Sequence, residues 1–326
     1  MAVTPTTEAT PPRREAGAFE RQAREIIRPL IGLAIIVGLL LVLAPTFRQG
    51  VALRDVIENS AVLFIMAAGT TVVLISGGLD LSIGSILALA SVATGSALLA
   101  GLPVWLAVLI GVSTGAVCGL INGLIIVKTG IPTLIATLGT ALIYRGIGNM
   151  IGAGKDMSGF PDAFKVIGRG FVGPFVISLL VFVAIWFFLS KTRAGFNVYA
   201  IGGSEEVARL SGIPVNRTKL LVYAIGGFCA ALASVVQTSR LNFAHVNRGQ
   251  GMELWAIAAV VIGGTSMFGG IGGIGKTVIG VLIIRALEAG LIHLHVPSFW
   301  QQVATGLVVI VAVWIDFLQR KAREKA

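Results

Sequence analysis

The chain has 326 residues, of which 56% are hydrophobic and only 12% are charged, against about 25% charged residues in an ordinary soluble domain. A soluble fold of this size could not cover so much apolar surface, so the composition excludes a water-soluble enzyme and favours a protein embedded in lipid. The net charge of +10 predicts no nucleic-acid partner, because in a membrane protein basic residues report orientation.

Residues 1–28 are polar and rich in Pro, Arg and Glu, which predicts a disordered cytoplasmic tail. Residues 29–319 are predicted to form an all-α membrane domain, a bundle of about ten transmembrane helices with some broken or re-entrant. A short cytoplasmic tail, 320–326, follows. The predicted spans are 29–47, 56–76, 80–100, 103–127, 131–151, 171–190, 218–238, 253–271, 274–292 and 298–316.

The basic residues indicate how these spans are oriented. When the helices alternate and both termini lie in the cytoplasm, most of the Lys and Arg residues fall on the cytoplasmic side, as the positive-inside rule requires. An even number of spans also keeps the C-terminal sequence RKAREK on that side. We therefore expect a multi-pass membrane protein, in contact with lipid, with both ends in the cytoplasm.

The stretch ISGGLDLSIGS, residues 75–85, interrupts two apolar segments. Gly77 and Gly78 allow a helix to break, and a carboxylate at Asp80 is costly in a membrane unless it is paired or hydrated. Two interpretations remain open. Asp80 and Ser82 either cap the next helix, or the break lies on a translocation pathway, where transporters often interrupt their helices.

Further polar side chains lie inside the predicted spans. Asn122, Tyr144 and Arg145 are candidates to face a hydrated pathway, and Arg285 and Glu288 are spaced to pair on one helix face. His293 and His295 lack a nearby third ligand, and Cys118 and Cys229 lie in apolar stretches. No catalytic group, metal site or cofactor is therefore predicted.

The longest polar stretch after the N-terminal tail is KTRAGFNVYAIGGSEEVARLSGIPVNRTK, residues 191–219. Ser204 followed by Glu205 and Glu206 is typical of a helix start, and Gly212 with Pro214 is typical of its end. A short exposed helix between two spans suggests a docking element. A simple solvated connector is the alternative.

Residues 270–277, GIGGIGKT, match the phosphate-binding loop pattern, and LVVIVAVWID at 307–316 resembles the strand that ends in a magnesium-binding Asp. That pattern requires a strand before the loop and an amphipathic helix after it, whereas the sequence here is apolar on nearly every helix face. A tight turn between membrane helices, with Lys276 at its cytoplasmic edge, is the favoured interpretation, and Asp316 is expected at a helix end.

Four segments together resemble the permease subunits of ribose-type ABC sugar importers. They are SGGLDLSIGSILALA, YAIGGSEEVARLSGI, AVVIGGTSMFGGIGGIGKTVIG and SFWQQVATGLVVIVAVWID. The resemblance covers residues 30–320 and departs from the family at Lys276, where members seldom carry GKT.

This resemblance implies a bacterial inner-membrane protein that hydrolyses nothing itself. A periplasmic binding protein would deliver a sugar, a separate cytoplasmic ATPase would drive transport, and a second permease chain, identical or related, would complete the path. The ATPase-coupling loop falls on Gly202, Gly203, Ser204, Glu205, Glu206, Ala208, Arg209, Ser211 and Gly212. The candidate pathway residues are Gly77, Gly78, Asp80, Ser82, Asn122, Tyr144 and Arg145.

Two other functions are weighed against this one. An ion-coupled secondary transporter would use Asp80 or Glu288 as an ion site and would need no partner proteins. An ATP-binding protein would rest only on GIGGIGKT and WID. The sequence does not select one sugar or polyol as the cargo.

Overall fold

The computed structural model of the chain describes residues 14–44 and 50–324. Within these ranges the chain is almost wholly helical, with one antiparallel pair of two-residue strands. The elements are α1 (Arg14–Leu43), α2 (Gly50–Ile75), α3 (Ile83–Leu99), α4 (Val104–Thr129), α5 (Thr133–Gly152), β1 (Met157–Ser158), α6 (Asp162–Gly168), α7 (Val172–Lys191), α8 (Arg193–Gly203), α9 (Glu205–Leu210), α10 (Val215–Leu241), β2 (Phe243–Ala244), α11 (Met252–Ile262), α12 (Ile274–His293) and α13 (Ser298–Glu324).

Six of the described helices are long and apolar enough to cross a membrane, and three shorter apolar helices accompany them. The all-α membrane fold is thus confirmed, although the count of about ten spans is not. Three of the four remaining predicted spans coincide with helices whose apolar part is too short to cross a bilayer alone, because a crossing takes about 20 residues. The fourth, α12, has 20 residues but contains Lys276, Arg285 and Glu288 and is not among the six. The six long segments are Val56–Ile75, Val104–Thr129, Thr133–Gly152, Val172–Lys191, Val215–Leu241 and Phe299–Leu318, and the shorter ones are Pro29–Leu43, Ile83–Leu99 and Met252–Ile262.

The structure corrects three boundaries. Residues 14–28, predicted as disordered tail, belong to α1, while residues 1–13 lie outside the described part of the chain. The span predicted at 253–271 stops at Ile262, because Gly263 and Gly264 turn the chain. The polar stretch after α7 holds two helices, α8 and α9, rather than one.

Small residues let the central helices approach closely. Gly111, Gly115, Gly119 and Gly123 recur every fourth residue along one stripe of α4. A Cβ on Gly115 would lie 2.5 Å from the carbonyl oxygen of Gly227 on α10. The backbones of α4 and α10 are therefore in direct contact, as in membrane helix pairs built on spaced glycines.

The bundle has two distinguishable ends. At one end, which we call the α9 end, the C-terminus of α2 meets α8 and the segment before α12, since the Gly270 N–H donates to the Ile75 carbonyl at 2.9 Å. At the opposite end, Arg240 near the C-terminus of α10 donates to Asn59 on the first half of α2, at 2.8 Å.

Between α10 and α11 the chain folds back into the bundle along α3. Ala244 lies against Gly95 and Gly249 lies against Gly84, both on α3, while Val246 lies near Gly148 on α5. The two contacts on α3 are eleven residues apart, or about 16 Å of helix. Residues 245–251 therefore form a re-entrant segment, and α11 begins inside the bundle rather than at its surface.

Candidate functional site

The helix break between α2 and α3 is built around Asp80. Gly77 adopts a positive φ of 76°, a conformation that glycine tolerates without strain. The Ser82 N–H and hydroxyl donate to Asp80 Oδ1 at 2.8 and 2.6 Å. Ser82 occupies the N-cap position of α3, but its side chain makes no capping hydrogen bond. The capping interpretation is therefore wrong for the Ser82 hydroxyl, which binds the Asp80 carboxylate instead.

The pathway candidates predicted on α4 and α5 join this carboxylate in one network. Asn122 Nδ2 donates to Ser82 Oγ at 2.7 Å and to Asp80 Oδ2 at 3.3 Å. The Tyr144 hydroxyl donates to Asn122 Oδ1 at 2.9 Å. Asp80 and Tyr144 are 3% exposed, and Ser82 and Asn122 are fully buried. These four residues are thus brought together, and in this conformation they seal the bundle between α3, α4 and α5.

Arg145, the remaining polar candidate, points away from that network. Its guanidinium donates to the Val246 carbonyl at 2.9 Å and to Ser85 Oγ at 3.3 Å. Arg145 therefore fixes the re-entrant segment against the start of α3. The Glu253 carboxylate lies over Gly84 beside this contact. No local pattern in the sequence indicated that residues 245–251, which precede Glu253, enter the bundle.

Replacing Asp80 with Leu should destabilise the folded chain. The Ser82 N–H and hydroxyl would lose their acceptor while staying buried, and each unsatisfied group costs about 1–3 kcal/mol. Asp80→Asn keeps an acceptor oxygen at the same place and is the matched control. Thermal unfolding of both variants in detergent should show a clearly lower midpoint for Leu. Equal midpoints would contradict the structural role of the carboxylate.

The predicted coupling loop, residues 202–212, comprises the end of α8, all of α9 and the turn after it. We call residues 193–212, which add the rest of α8, the coupling segment after that prediction. The Ser204 hydroxyl accepts from the Val207 N–H at 3.3 Å, and Gly212 follows α9 with φ 79°. The predicted N-cap at Ser204 and the predicted stop at Gly212 are both confirmed. The sequence specified them because a cap and a left-handed glycine are local features.

One face of α9 is anchored to the bundle. Ala208 is 3% exposed and packs with Ile201 and Val215. Glu205 accepts from Arg209 at 3.1 Å and from Lys219 on α10 at 2.6 Å. Partial burial acts to raise the pKa of the Glu205 carboxyl, but the hydrogen bonds and charges of Lys219 and Arg209 outweigh it and hold that pKa below its ordinary value. Glu205 is therefore ionised at neutral pH and ties α9 to α10.

The other face of α9 is open. Glu206 is exposed, and beside it Val207 and Leu210 are 61% and 83% exposed. Phe196 on α8 is also well exposed. Apolar side chains flanked by charges on a short rigid element are typical of a protein-docking surface.

Glycines join the coupling segment to the bundle. Gly202 packs directly on the Ile75 carbonyl and on the Gly270 N–H, and a Cβ on Gly269 would lie 2.7 Å from the Gly202 oxygen and 2.8 Å from Gly77 Cα. We call the contact of Gly77, Gly202, Gly269 and Gly270 the glycine junction. It places the coupling segment in backbone contact with both the break before α3 and the turn before α12.

Gly270, the first residue of the GIGGIGKT run, belongs to the glycine junction, and the run does not have the geometry of a phosphate-binding loop. The element before it is the helix α11 rather than a strand. Thr277 is buried and shares a hydrogen bond with Thr71, with 2.6 Å between their Oγ1 atoms. Asp316 accepts from the Met267 N–H at 3.0 Å. The run therefore lacks the strand–loop–helix context of a phosphate-binding loop, and Asp316 fixes α13 to the turn rather than simply ending a helix.

The purified chain is accordingly expected to bind no ATP by itself. Lys276 lies in the first turn of α12, and the run that contains it follows a helix rather than the strand that precedes a phosphate-binding loop. Titration calorimetry with Mg·ATP tests this expectation. Saturable binding that disappears in Lys276→Ala would contradict it.

The bundle combines several apolar helices with a closed helix break and an exposed segment that is anchored by backbone contacts. These features define a multi-pass membrane protein of the transport type. Residues 52–313 match the family described as branched-chain amino acid transport system / permease component, and the chain belongs to this permease family. No solved structure matches the chain.

Curated relatives are similar over nearly their full length. The ribose import permease protein RbsC of Bacillus subtilis is 42% identical over 88% of this chain and 91% of its own. The D-allose transport system permease protein AlsC of Escherichia coli is 40% identical over 89% and 90%. The galactose/methyl galactoside import permease protein MglC of Escherichia coli is 35% identical over 90% and 94%.

The resemblance to ribose-type permeases drawn from the motifs is therefore confirmed. The ion-coupled alternative receives no support, because the relatives are named as import permeases or as a permease within a transport system.

Proposed function

We propose that the chain is the permease subunit of an ABC importer in a bacterial inner membrane, and that it translocates a monosaccharide or a related small polyol. A separate cytoplasmic ATPase, a periplasmic binding protein and a second permease chain, identical or related, complete the assembly. The observation that carries this proposal is the coupling segment. It exposes a docking face and at the same time contacts two helix junctions of the bundle through backbone atoms.

The proposed cargo follows from the relatives. The family description names branched-chain amino acids, whereas the relatives that cover about nine-tenths of the chain are named for ribose, allose and galactose. The matches to these relatives cover more of the chain than the family match does, and they favour a sugar as the cargo. In the network around Asp80, no charged group is available to bind the ammonium or carboxylate group of an amino acid, because the Asp80 carboxylate already accepts hydrogen bonds from Ser82 and Asn122.

The proposed topology has both termini and the α9 end in the cytoplasm. Lys128, Lys191 and Arg193 lie at helix ends on that side, in keeping with the positive-inside rule. About ten membrane segments, counting the short helices α3 and α11 and the re-entrant stretch, then alternate between the faces. The membrane domain corresponds to 29–319, preceded by a cytoplasmic tail within 1–28 and followed by another at 320–326.

Coupling would proceed by rigid-body motion. Docked ATPase domains move the α9 end, and the glycine junction has no side chains that could absorb the displacement. The motion therefore reaches the break before α3 and the turn before α12 together. A shift there acts directly on the network of Asp80, Ser82, Asn122 and Tyr144, which we propose opens as part of the pathway together with Arg145, Gly77 and Gly78.

The test is ATP-dependent sugar uptake into vesicles that hold this chain with its cognate ATPase and binding protein. Glu206→Ala and Leu210→Ser should lower uptake at least about tenfold, the loss expected for an interface anchor worth roughly 1.4 kcal/mol or more. Membrane insertion should be unchanged, because neither side chain packs inside the bundle.

Val166→Ser is the matched control. Val166 is 71% exposed on α6, which packs on the opposite end of α10, so its loss should leave uptake unchanged. Gly212→Pro should uncouple transport as Leu210→Ser does, since proline cannot adopt the positive φ found there. Normal uptake in the α9 variants would refute the docking role.

A further inference from the structure

A cavity of about 260 Å³ opens between α2, α10, α11 and α12, apart from the network around Asp80. It lies toward the end of the bundle opposite the coupling segment. Its volume is just below the range of about 300–1,000 Å³ found for pockets that hold drug-sized ligands. Its polar and aromatic lining residues are Asn59, Gln237, Arg240, Trp255, Arg285 and Glu288.

The charged groups of this cavity are unusual inside an apolar bundle. Arg285 and Glu288 form an ion pair on one face of α12, and their side chains are 15% and 31% exposed. The Arg285 Nε is buried without a hydrogen-bond partner. A buried unsatisfied donor costs about 1–3 kcal/mol, and charged residues inside membrane proteins generally mark ligand or ion paths.

The opposite wall supplies neutral and aromatic groups. The Gln237 amide donates only to the Met252 sulfur, at 3.6 Å, and sulfur is a weak acceptor. Trp255 stands one turn into α11, directly after the re-entrant segment. Arg240 is already bonded to Asn59. The cavity therefore combines donors, acceptors and one flat apolar ring, which matches the alternating hydroxyl and C–H faces of a sugar.

We propose that this cavity is a binding site for a neutral, polyhydroxylated molecule of monosaccharide size. Trp255 would lie against the C–H face of the ring, and Gln237 with the Arg285–Glu288 pair would bind its hydroxyls. A neutral ligand is favoured because both guanidinium groups of the cavity already have an acceptor, Glu288 for Arg285 and Asn59 for Arg240. This inference rests on the proposed function and assigns it a site, at the end of the bundle that the proposed topology turns toward the periplasm.

Protection of an introduced cysteine tests the site without requiring transport. The two native cysteines, Cys118 and Cys229, are buried, so Val62→Cys and Leu241→Cys, at apolar positions that line the cavity, should supply the reactive thiols. In the full chain in nanodiscs, saturating D-ribose, D-allose or D-galactose should slow labelling by a small methanethiosulfonate reagent at least about threefold. Val166→Cys, exposed on α6, should label at the same rate with and without sugar.

The outcomes separate this inference from the proposed function. Unchanged labelling of both cavity cysteines in all three sugars would overturn the site, and so would protection by L-isoleucine alone. In vesicles with the partner proteins, Glu288→Gln should raise the KM for uptake several-fold with little change in the maximal rate. Protection without any uptake by the wild-type assembly would leave the site standing and overturn the importer function.

Discussion

Gly202→Ala should abolish uptake and lower the stability of the α9 end, while its neighbour Gly203→Ala should behave like the unaltered chain. A Cβ on Gly202 would fall within 3.0 Å of both the Ile75 carbonyl oxygen and the Gly270 nitrogen, whereas a Cβ on Gly203 meets nothing within 4 Å. Both residues lie at the end of the same helix, α8. The two substitutions are therefore equal in chemistry and differ only in packing.

The physical reason is that backbone atoms cannot move aside as a flexible side chain can. Overpacking of a tight contact costs about 1–3 kcal/mol and sometimes more. Relief of the clash would break the hydrogen bond from Gly270 to Ile75, and with it the contact that carries motion from the coupling segment to α2 and α12. We expect uptake to fall to background, together with uncoupled or lost stimulation of the partner ATPase.

Uptake assays and detergent melting curves of both variants decide this prediction. If Gly202→Ala transported sugar at more than about half the normal rate, the glycine junction would not be the mechanical link proposed here. If Gly203→Ala failed equally, the effect would come from helix α8 itself rather than from the junction.

Gly119→Ala should destabilise the whole bundle. A Cβ there would lie within 3.0 Å of the Tyr223 carbonyl group on α10, in the middle of the glycine stripe of α4. The α4–α10 interface is the most extensive contact between two helices of the described chain. Separating the two backbones would weaken packing along their full length, at a cost of roughly 1–3 kcal/mol or more.

Gly139→Ala is the control for this second effect. Gly139 lies in the middle of α5, and a Cβ there meets nothing within 4 Å, so the change should be neutral or slightly stabilising because alanine favours helix. Yield after detergent extraction and the midpoint of thermal unfolding report the difference. Equal midpoints for Gly119→Ala and Gly139→Ala would show that α4 and α10 can separate without cost.

The features that sequence alone could predict are those set by local chemistry. Runs of apolar residues predicted the long spans because each needs about 20 residues in lipid. The Ser204 cap and the Gly212 stop were predicted because both depend on residues within one turn. Glycines in SGGLD predicted a break, and the polarity of Asn122 and Tyr144 singled them out before their contact with Asp80 was known.

The features that only the tertiary structure decided depend on residues far apart in the chain. Gly202 meets Gly77 and Gly270 across more than sixty residues in each direction, so no local pattern could reveal why the GIGGIGKT run is rich in glycine. The cavity beside Trp255 exists because residues 245–251 re-enter the bundle and start α11 inside it. Its lining comes from four helices, and their polar residues become one site only when packing brings them together.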